Sequence, residues 1–135
     1  MSAPYQHVIG TIREFNTARF RVIVDAIEDD DLDLSWDDDG STRAGLESGK
    51  YIAFCARARC LLDGLEVASE YLGGCIYERI EAFEDHRECG AATRRLREQG
   101  NPAVVGSYFA DMVSEVIYHA RAEVARLQSV RVRKP

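Results

Sequence analysis

Hydrophobic and polar residues alternate along two stretches of the chain, a pattern typical of β-strands with one buried face. In residues 18–28 the apolar face consists of Ala18, Phe20, Val22, Val24 and Ala26. In residues 50–62 it consists of Ile52, Phe54, Ala56, Ala58, Cys60 and Leu62. These stretches predict two strands whose apolar faces point towards one common core.

A β-hairpin is predicted directly after the second of these strands. Asp63-Gly64 indicates a two-residue type I′ turn, because both central residues of that turn need positive φ. The returning strand covers residues 65–71 or beyond. Gly73-Gly74 then predicts a bulge or a break before residues 75–77.

The N-terminal residues 5–15 allow two interpretations. Val8, Ile12 and Phe15 have the spacing of a helix, whereas the density of Val, Ile and Thr in this stretch favours a strand. We favour the strand, since Asn16-Thr17 then forms a connection to the strand at residues 18–28.

The hydrophobic period lengthens to three or four residues after the hairpin. Ile80 and Phe83 predict a short helix, and residues 91–99 predict another. Ser107 is a suitable N-cap for a long C-terminal helix. The apolar stripe of that helix consists of Tyr108, Phe109, Met112, Val113, Val116, Ile117, Ala120, Val124 and Leu127.

Strands followed by helices predict an α+β fold. We expect an antiparallel β-sheet meander of three to five strands, followed by short helices and one long C-terminal helix packed on the sheet. The length of 135 residues predicts a single domain, residues 1–135, with a short basic tail at residues 129–135 that is expected to be frayed. Asp39-Gly40-Ser41-Thr42 and Ser48-Gly49 are typical of loops, and the residues between them show no periodicity.

One stretch of the chain is strongly acidic. Eight of the twelve residues in 28–39 are Asp or Glu, and we call this stretch the acidic segment. Its apolar residues Leu32, Leu34 and Trp36 alternate with polar ones, which predicts an extended strip with one buried face. Residues 25–47 carry a net charge of −9 and the rest of the chain carries +3. The acidity is local, and a local field indicates a basic partner.

Three interpretations of the acidic segment are open. It can be a solvated loop whose charges aid solubility. Residues 35–40 imitate the opening of a calcium-binding EF-hand loop, although Leu46 stands where that loop needs its acidic twelfth residue. A fixed row of carboxylates, about 3.3 Å apart per residue, would resemble a nucleic-acid backbone and fit a basic groove, with Trp36 as its anchor.

Two sets of side chains are therefore candidates for binding a partner. The first set lies in the acidic segment and consists of Asp29, Asp30, Asp31, Asp33, Trp36, Asp37, Asp38 and Asp39. The alternative set is a basic face made of Arg19, Arg21, Arg57 and Arg59. Guanidinium groups suit a phosphate-bearing ligand or RNA. The simpler interpretation pairs these arginines with Asp25, Glu66 and Glu70, or with the acidic segment of the same or a second molecule.

The sequence contains no catalytic motif, since GxSxG, GxGxxG and the phosphate-binding GxxxxGK[ST] are absent. We therefore predict no enzymatic activity and no cofactor. His86 and Cys89 have no second pair at zinc-ligand spacing, so no metal site is predicted. His119 follows Glu115 by four residues on the long helix, and a surface ion pair explains it.

The cellular location follows from apolar runs and cysteine usage. No apolar run approaches the length of about 20 residues that crosses a membrane, and the N-terminus lacks the pattern of a signal peptide. Cys55, Cys60, Cys75 and Cys89 match neither a zinc ribbon nor a CxxC redox pair, which is typical of reduced thiols. We therefore expect a cytoplasmic protein with no membrane partner.

Four stretches together resemble small uncharacterised proteins encoded by tailed phages and prophages. They are residues 31–36, the hairpin at 62–69, Leu72-Gly73-Gly74, and residues 107–113 at the start of the last helix. The resemblance spans roughly residues 20–127 and brings no catalytic residues. It implies an inhibitor of host defence, of the anti-CRISPR or anti-restriction kind, in the cytoplasm of the bacterial host. The modest net charge and the basic sheet face depart from an extreme nucleic-acid mimic.

Taken together, the residues and the resemblance predict a non-enzymatic protein-binding module. Its acidic segment is expected to bind a basic surface on a host defence nuclease or CRISPR surveillance complex, with no direct binding to nucleic acid. One alternative is an accessory domain that binds a small molecule, a nucleotide or calcium. A second alternative is an oligomeric structural protein without an inhibitor role.

Overall fold

The computed structural model describes residues 7–85 and 107–132. In these ranges the elements follow in the order β1 (Val8–Asn16), β2 (Arg21–Ile27), α1 (Ser41–Ser48), β3 (Ile52–Leu62), β4 (Leu65–Tyr77), α2 (Ala82–Asp85) and α3 (Tyr108–Val132). The strands form an antiparallel sheet in the order β1-β2-β3-β4. The predicted α+β fold is confirmed. The predicted helix at residues 91–99 and the pair His86 and Cys89 lie outside the described residues.

The register between β2 and β3 separates an apolar face of the sheet from a charged one. Val24 lies opposite Ala58, and both are fully buried in the core. Successive side chains of a strand point to opposite faces. Asp25 therefore lies opposite Arg57 on the side of the sheet turned away from α3, which we call the open face.

The core face is covered by α3. The Ser107 hydroxyl accepts a hydrogen bond from the Ala110 amide at 3.0 Å, which confirms the predicted N-cap. The most deeply buried side chains of the helix are Met112, Val116, Ala120 and Val124. Burial of a large apolar side chain contributes about 1.5–3 kcal/mol. Leu127 is 44% exposed, so the buried stripe ends earlier than predicted. The helix itself continues to Val132, into the tail that was expected to be frayed.

The hairpin between β3 and β4 has the predicted turn. Asp63 and Gly64 have φ values of 51° and 83°, as a type I′ turn requires, and Leu62 pairs with Leu65 across it. Asp63 is the only non-glycine residue with positive φ in the described ranges. The turn fixes the register only as far as Leu61 and Glu66, because β4 carries one extra residue, Val67, before Ala68 pairs with Cys60. This first bulge moves the following residues of β4 by one position and so determines which of their side chains face α3.

The predicted bulge in β4 is also confirmed. Opposite β3, β4 carries one extra residue between Leu72 and Cys75, at Gly73-Gly74. Gly74 has a φ of 71°, a conformation that glycine adopts without steric cost. The bulge turns the Gly74 amide away from the ladder, and this amide binds the acidic segment, as described below.

Two further predictions of secondary structure have different outcomes. The ambiguous N-terminal stretch is a strand from Val8 onwards, as we favoured. The prediction of loop residues and no periodic element between Asp39 and Gly49 is wrong, because α1 (Ser41–Ser48) lies there. Only Gly45 is buried in this helix, so no apolar stripe marks it in the sequence. A Cβ atom at Gly45 would collide with the Tyr51 ring, which packs against this glycine.

An aromatic cluster joins the sheet to the helices. Phe83 of α2, which is 1% exposed, contacts the rings of Phe54, Tyr77 and Phe109 at centroid distances of 5.9–6.3 Å. The predicted short helix around Phe83 is thus confirmed and lies at the edge of the core. Within the described ranges, none of the helices combines the length and apolarity that crossing a membrane requires.

Candidate functional site

The acidic segment follows β2 and folds into turns. The Asp31 amide donates a hydrogen bond to the Asp29 carboxylate at 3.1 Å, and the Ser35 amide donates one to the Asp33 carboxylate at 2.9 Å. An aspartate that accepts a bond from the amide two residues ahead offers the backbone an alternative to a strand. No strand of the described sheet pairs with the segment, so these local bonds prevail. The predicted extended strip is therefore wrong, and with it the even carboxylate spacing proposed for nucleic-acid mimicry.

The apolar residues of the acidic segment differ in their exposure. Leu32 and Leu34 are half-buried, in line with the predicted anchoring, but Trp36 is 58% exposed. The indole Nε1 of Trp36 donates a hydrogen bond to the Asp33 carbonyl at 2.8 Å. This bond fixes the indole to its own turn while leaving most of the ring in solvent.

Asp29 ties the acidic segment to β4. Its second carboxylate oxygen accepts a hydrogen bond from the Gly74 amide at 2.7 Å. The bulge at Gly73-Gly74 and the acidic run, which look unrelated in the sequence, thus form one contact. Burial and, to a smaller extent, the charge of Asp29 raise the pKa of the neighbouring Cys55 thiol.

The carboxylates at the end of the acidic segment cap α1. Asp37 accepts hydrogen bonds from the amides of Thr42 and Arg43 at 3.1 and 3.0 Å, and Asp39 accepts one from the Ser41 amide at 2.9 Å. These amides have no partner within the helix, and the helix dipole favours negative charge at this end. Capping accounts for the likeness to an EF-hand opening. Within the described ranges, neither aspartate belongs to a group of three converging metal ligands.

The same turns affect the acidity of two carboxyl groups. Hydrogen bonds from the backbone amide and then from the hydroxyl of Ser35 lower the pKa of Asp33. The amide and hydroxyl of Ser41 lower the pKa of Asp39 in the same way. Both groups therefore carry a full negative charge at neutral pH.

Four carboxylates of the acidic segment remain without a bonding role. Glu28, Asp30, Asp31 and Asp38 are exposed, and their side chains make no hydrogen bond or ion pair with another described residue. Of these four, Asp38 lines a shallow depression of about 300 Å³ together with Trp36, Asp37, Asp39, Ser41 and Thr42. An aromatic ring next to carboxylates is the environment that a guanidinium or ammonium group prefers.

On the open face, one carboxylate binds two of the basic candidates. Asp25, which is 3% exposed, accepts hydrogen bonds from Arg57 at 3.0 and 2.8 Å and from Arg59 at 3.3 Å. The predicted pairing with Asp25 is confirmed. The bond to Asp25 raises the pKa of Arg57. The Nε atom of Arg59 is buried and has no hydrogen-bond partner among the described residues.

The other two arginines do not extend this cluster. Arg21 pairs with Glu14 at 2.7 Å. Arg19 lies in the turn between β1 and β2, over the Phe20 ring at 5.7 Å, and so is not on the sheet face where we placed it. Among the described residues, no arginine forms an ion pair with the acidic segment. The proposed neutralisation of the segment by the basic face of the same molecule is therefore wrong.

A further group of titratable side chains joins β4 to α3. The predicted contact between His119 and Glu115 is confirmed, with 3.3 Å between Nε2 and Oε2. Glu70 adds a second carboxylate, whose Oε1 lies 3.7 Å from the same nitrogen. Sequence reasoning missed this contact because Glu70 is distant in the chain. The extra residue Val67 places Glu70 opposite Ala58, on the face that α3 covers, and no feature of the sequence marks this bulge. The predicted pairing of the arginines with Glu70 is therefore wrong.

Comparison of the chain with protein-family models, with curated proteins and with solved structures found no match. The function is therefore inferred from side-chain chemistry alone. The relevant side chains are those of the acidic segment, the arginines paired with Asp25, and the group around His119.

Proposed function

We propose that the protein is a non-enzymatic binding module whose acidic segment binds a basic surface of another protein. One observation carries the proposal: the exposed ring of Trp36 lies beside carboxylates that have no cationic partner among the described residues. The segment holds eight acidic residues and no basic one. Arginine or lysine side chains of a partner would supply both the missing charge and a contact for the ring.

The internal bonding of the acidic segment supports this proposal. Asp29 joins the segment to the β4 bulge, and Asp37 joins it to α1. A segment that is already ordered loses less conformational entropy when it binds. The unbonded carboxylates of Asp30, Asp31 and Asp38 are thus presented on a backbone that the bonded ones hold in place.

The class of partner follows from charge and from the resemblance to small phage proteins. Proteins that bind nucleic acid display lysine and arginine in grooves that neutralise phosphates. In this proposal the partner is a host defence nuclease or a CRISPR surveillance complex in the bacterial cytoplasm, and occupation of its groove inhibits it. Direct binding to nucleic acid is disfavoured, because the acidic segment would repel phosphates.

The alternative of a nucleotide or another phosphate ligand on the open face has less support. Such a ligand would have to displace the buried Asp25 carboxylate from Arg57 and Arg59. Breaking a buried ion pair costs free energy, and this cost would be subtracted from the binding free energy of the ligand. We therefore propose protein binding in place of this alternative.

The test compares two triple variants with the same change in net charge. The first carries Asp30→Asn, Asp31→Asn and Asp38→Asn, which removes three of the four unbonded carboxylates and keeps every capping aspartate. The control carries Glu66→Gln, Glu78→Gln and Glu81→Gln, which are exposed positions outside the acidic segment. Each protein, immobilised after its fold is checked by circular dichroism, is used to capture proteins from bacterial lysate. We expect capture by the wild type and the control, and loss of capture by the first variant.

Two outcomes would contradict the proposal. Undiminished capture by the acidic-segment variant would show that these carboxylates do not contact the partner. Equal losses in both variants would show that only the net charge matters. A Trp36→Ala variant supplies a further check, since truncating a central aromatic anchor weakens binding by about 2 kcal/mol, or roughly thirtyfold.

A further inference from the structure

We propose that Glu70, Glu115 and His119 form a binding site for a zinc-type divalent cation between β4 and α3. The Nε2 atom of His119 lies 3.3 Å from the Glu115 Oε2 and 3.7 Å from the Glu70 Oε1. All three ligand atoms lie within 4.8 Å of one another. Among the described residues, this is the one group of three potential ligands that converges in this way.

These separations fit the coordination of a small cation. Zinc binds imidazole nitrogen and carboxylate oxygen at about 2.0–2.2 Å, so two ligands of a tetrahedral site lie roughly 3.4 Å apart. The two separations from the His119 nitrogen lie on either side of that value. Since the three ligand atoms lie within 4.8 Å of one another, rotations of the two glutamate side chains would bring them to the distances of one coordination sphere.

The backbone places the three ligands on two rigid elements. Glu115 and His119 are four residues apart on α3 and so lie on the same side of the helix. Glu70 extends from β4, where its register partner is Ala58 of the core face. Ligands on a strand and on a helix that pack together are held more firmly than ligands on a loop.

The net charge of the group is also favourable for a cation. Two carboxylates converge on one imidazole, which leaves negative charge in excess. Glu70 and His119 line a groove between β4 and α3, and Arg126 lines it too. The guanidinium group of Arg126 is already paired, because it donates hydrogen bonds of 2.9 and 2.8 Å to Glu123. The groove has a volume of about 500 Å³ and is open to solvent, so water can complete the coordination of a bound cation.

The ligand types select the class of metal. Imidazole and carboxylate together suit Zn²⁺ and related ions such as Co²⁺. Calcium needs six to eight oxygen ligands, and magnesium prefers an octahedron of oxygens with several waters. We therefore expect binding of zinc and cobalt, and no comparable binding of calcium or magnesium.

The test is calorimetric titration of the full chain with Zn²⁺, Ca²⁺ and Mg²⁺ in turn. We expect one zinc ion per chain, and an affinity that falls by at least about tenfold in Glu70→Gln and in His119→Ala, since even outer-shell changes have effects of that size. Matched controls are Glu81→Gln and His7→Ala, which make the same substitutions at exposed positions outside the group. These controls should bind zinc like the wild type.

The cysteines provide a competing explanation, which cobalt spectra resolve. Binding to Glu70, Glu115 and His119 gives weak visible bands, whereas cysteine ligation gives intense charge-transfer absorption in the near ultraviolet. Absence of zinc binding would overturn the proposal and leave the group as an ion pair. Unchanged binding in His119→Ala, or a thiolate spectrum, would overturn it as well.

Discussion

At the scale of single residues, Asp25 determines the charge of the open face. Its buried carboxylate accepts three hydrogen bonds from Arg57 and Arg59, so one negative charge compensates one of the two positive charges. A buried charge is tolerated only when it is paired and hydrogen-bonded. This arrangement holds both guanidinium groups on the open face, where neither forms an ion pair with the acidic segment.

Replacing Asp25 tests this role. We expect Asp25→Ala to lower the free energy of unfolding by an amount in the lower part of the range of about 3–5 kcal/mol seen for broken buried pairs. The lower part applies because the side chains of Arg57 and Arg59 are 15% and 24% exposed and so retain some water. Urea denaturation provides the measurement.

A matched control for this variant is Glu14→Gln. Glu14 pairs with Arg21 at 2.7 Å, but both side chains are more than 40% exposed. Exposed pairs contribute at most about 1 kcal/mol, so this control should remain near wild-type stability. Equal losses in the two variants would contradict the role assigned to Asp25.

The turns of the acidic segment predict an unusual acid titration. The pKa values of Asp33 and Asp39 are lowered from 3.8 by hydrogen bonds from Ser35 and Ser41. A lowered pKa in the folded state means that these bonds stabilise the fold above pH 3.8, and that this contribution is lost as the pH falls through the lowered value. We expect the amide NMR signals of Ser35 and Ser41 to titrate with midpoints below 3.8. Midpoints at or above 3.8 would show that the turns are not formed.

At the scale of elements, α1 shows that a helix can form from capping without a buried stripe. Asp37 and Asp39 accept bonds from the first amides of the helix, while only Gly45 is buried in it. Helices this short are marginal by themselves in water. The stability of α1 therefore depends on these caps more than on contacts with the core.

Replacing the main cap should unfold α1 locally. We expect Asp37→Ala to destabilise the helix by about 0.5–2 kcal/mol, the usual cost of losing a capping side chain. Hydrogen exchange at the amides of Thr42 and Arg43 should accelerate accordingly. Exchange at Val24, in the core of the sheet, serves as the control and should not change. Unchanged exchange at Thr42 and Arg43 would contradict the capping role.

The sequence predicts those elements of the fold in which one face is buried, because burial makes apolar residues recur at a regular spacing. The faces of β2 and β3 and the stripe of α3 follow the alternation and the helical spacing of their apolar residues. The turn at Asp63-Gly64 was predictable because positive φ restricts which residues can occupy it. Local chemistry and periodicity agree in these elements, so one sequence pattern identifies each of them.

Two features could not be predicted, for different physical reasons. In the acidic segment the alternation of Leu32, Leu34 and Trp36 suggested a strand, but aspartates bonding to nearby amides form turns instead. The contact of Glu70 with His119 depends on how β4 and α3 pack together, which no local pattern encodes. Side-chain hydrogen bonds thus determine the conformation of the acidic segment, and long-range packing determines the contact of Glu70 with His119. The period of the apolar residues determines neither.

At the scale of the whole molecule, charge is distributed unevenly. The arginines of β2 and β3 are paired with Asp25 and Glu14, and the acidic segment contributes no ion pair among the described residues. The segment carries eight negative charges within twelve residues. The molecule therefore presents one uncompensated acidic surface with an exposed tryptophan at its end, and this surface is the basis of the proposed function.

The most direct test of this account is the salt dependence of binding to the purified captured partner. Salt screens exposed charges beyond a distance of about 10 Å at 0.1 M ionic strength, so contacts made by the acidic segment should weaken as salt is added. We predict a steep loss of affinity with salt for the wild type and for the control variant at Glu66, Glu78 and Glu81. The variant at Asp30, Asp31 and Asp38 should show weaker binding and a shallower slope. The same slope in all three proteins would contradict the assignment of the acidic segment as the binding surface.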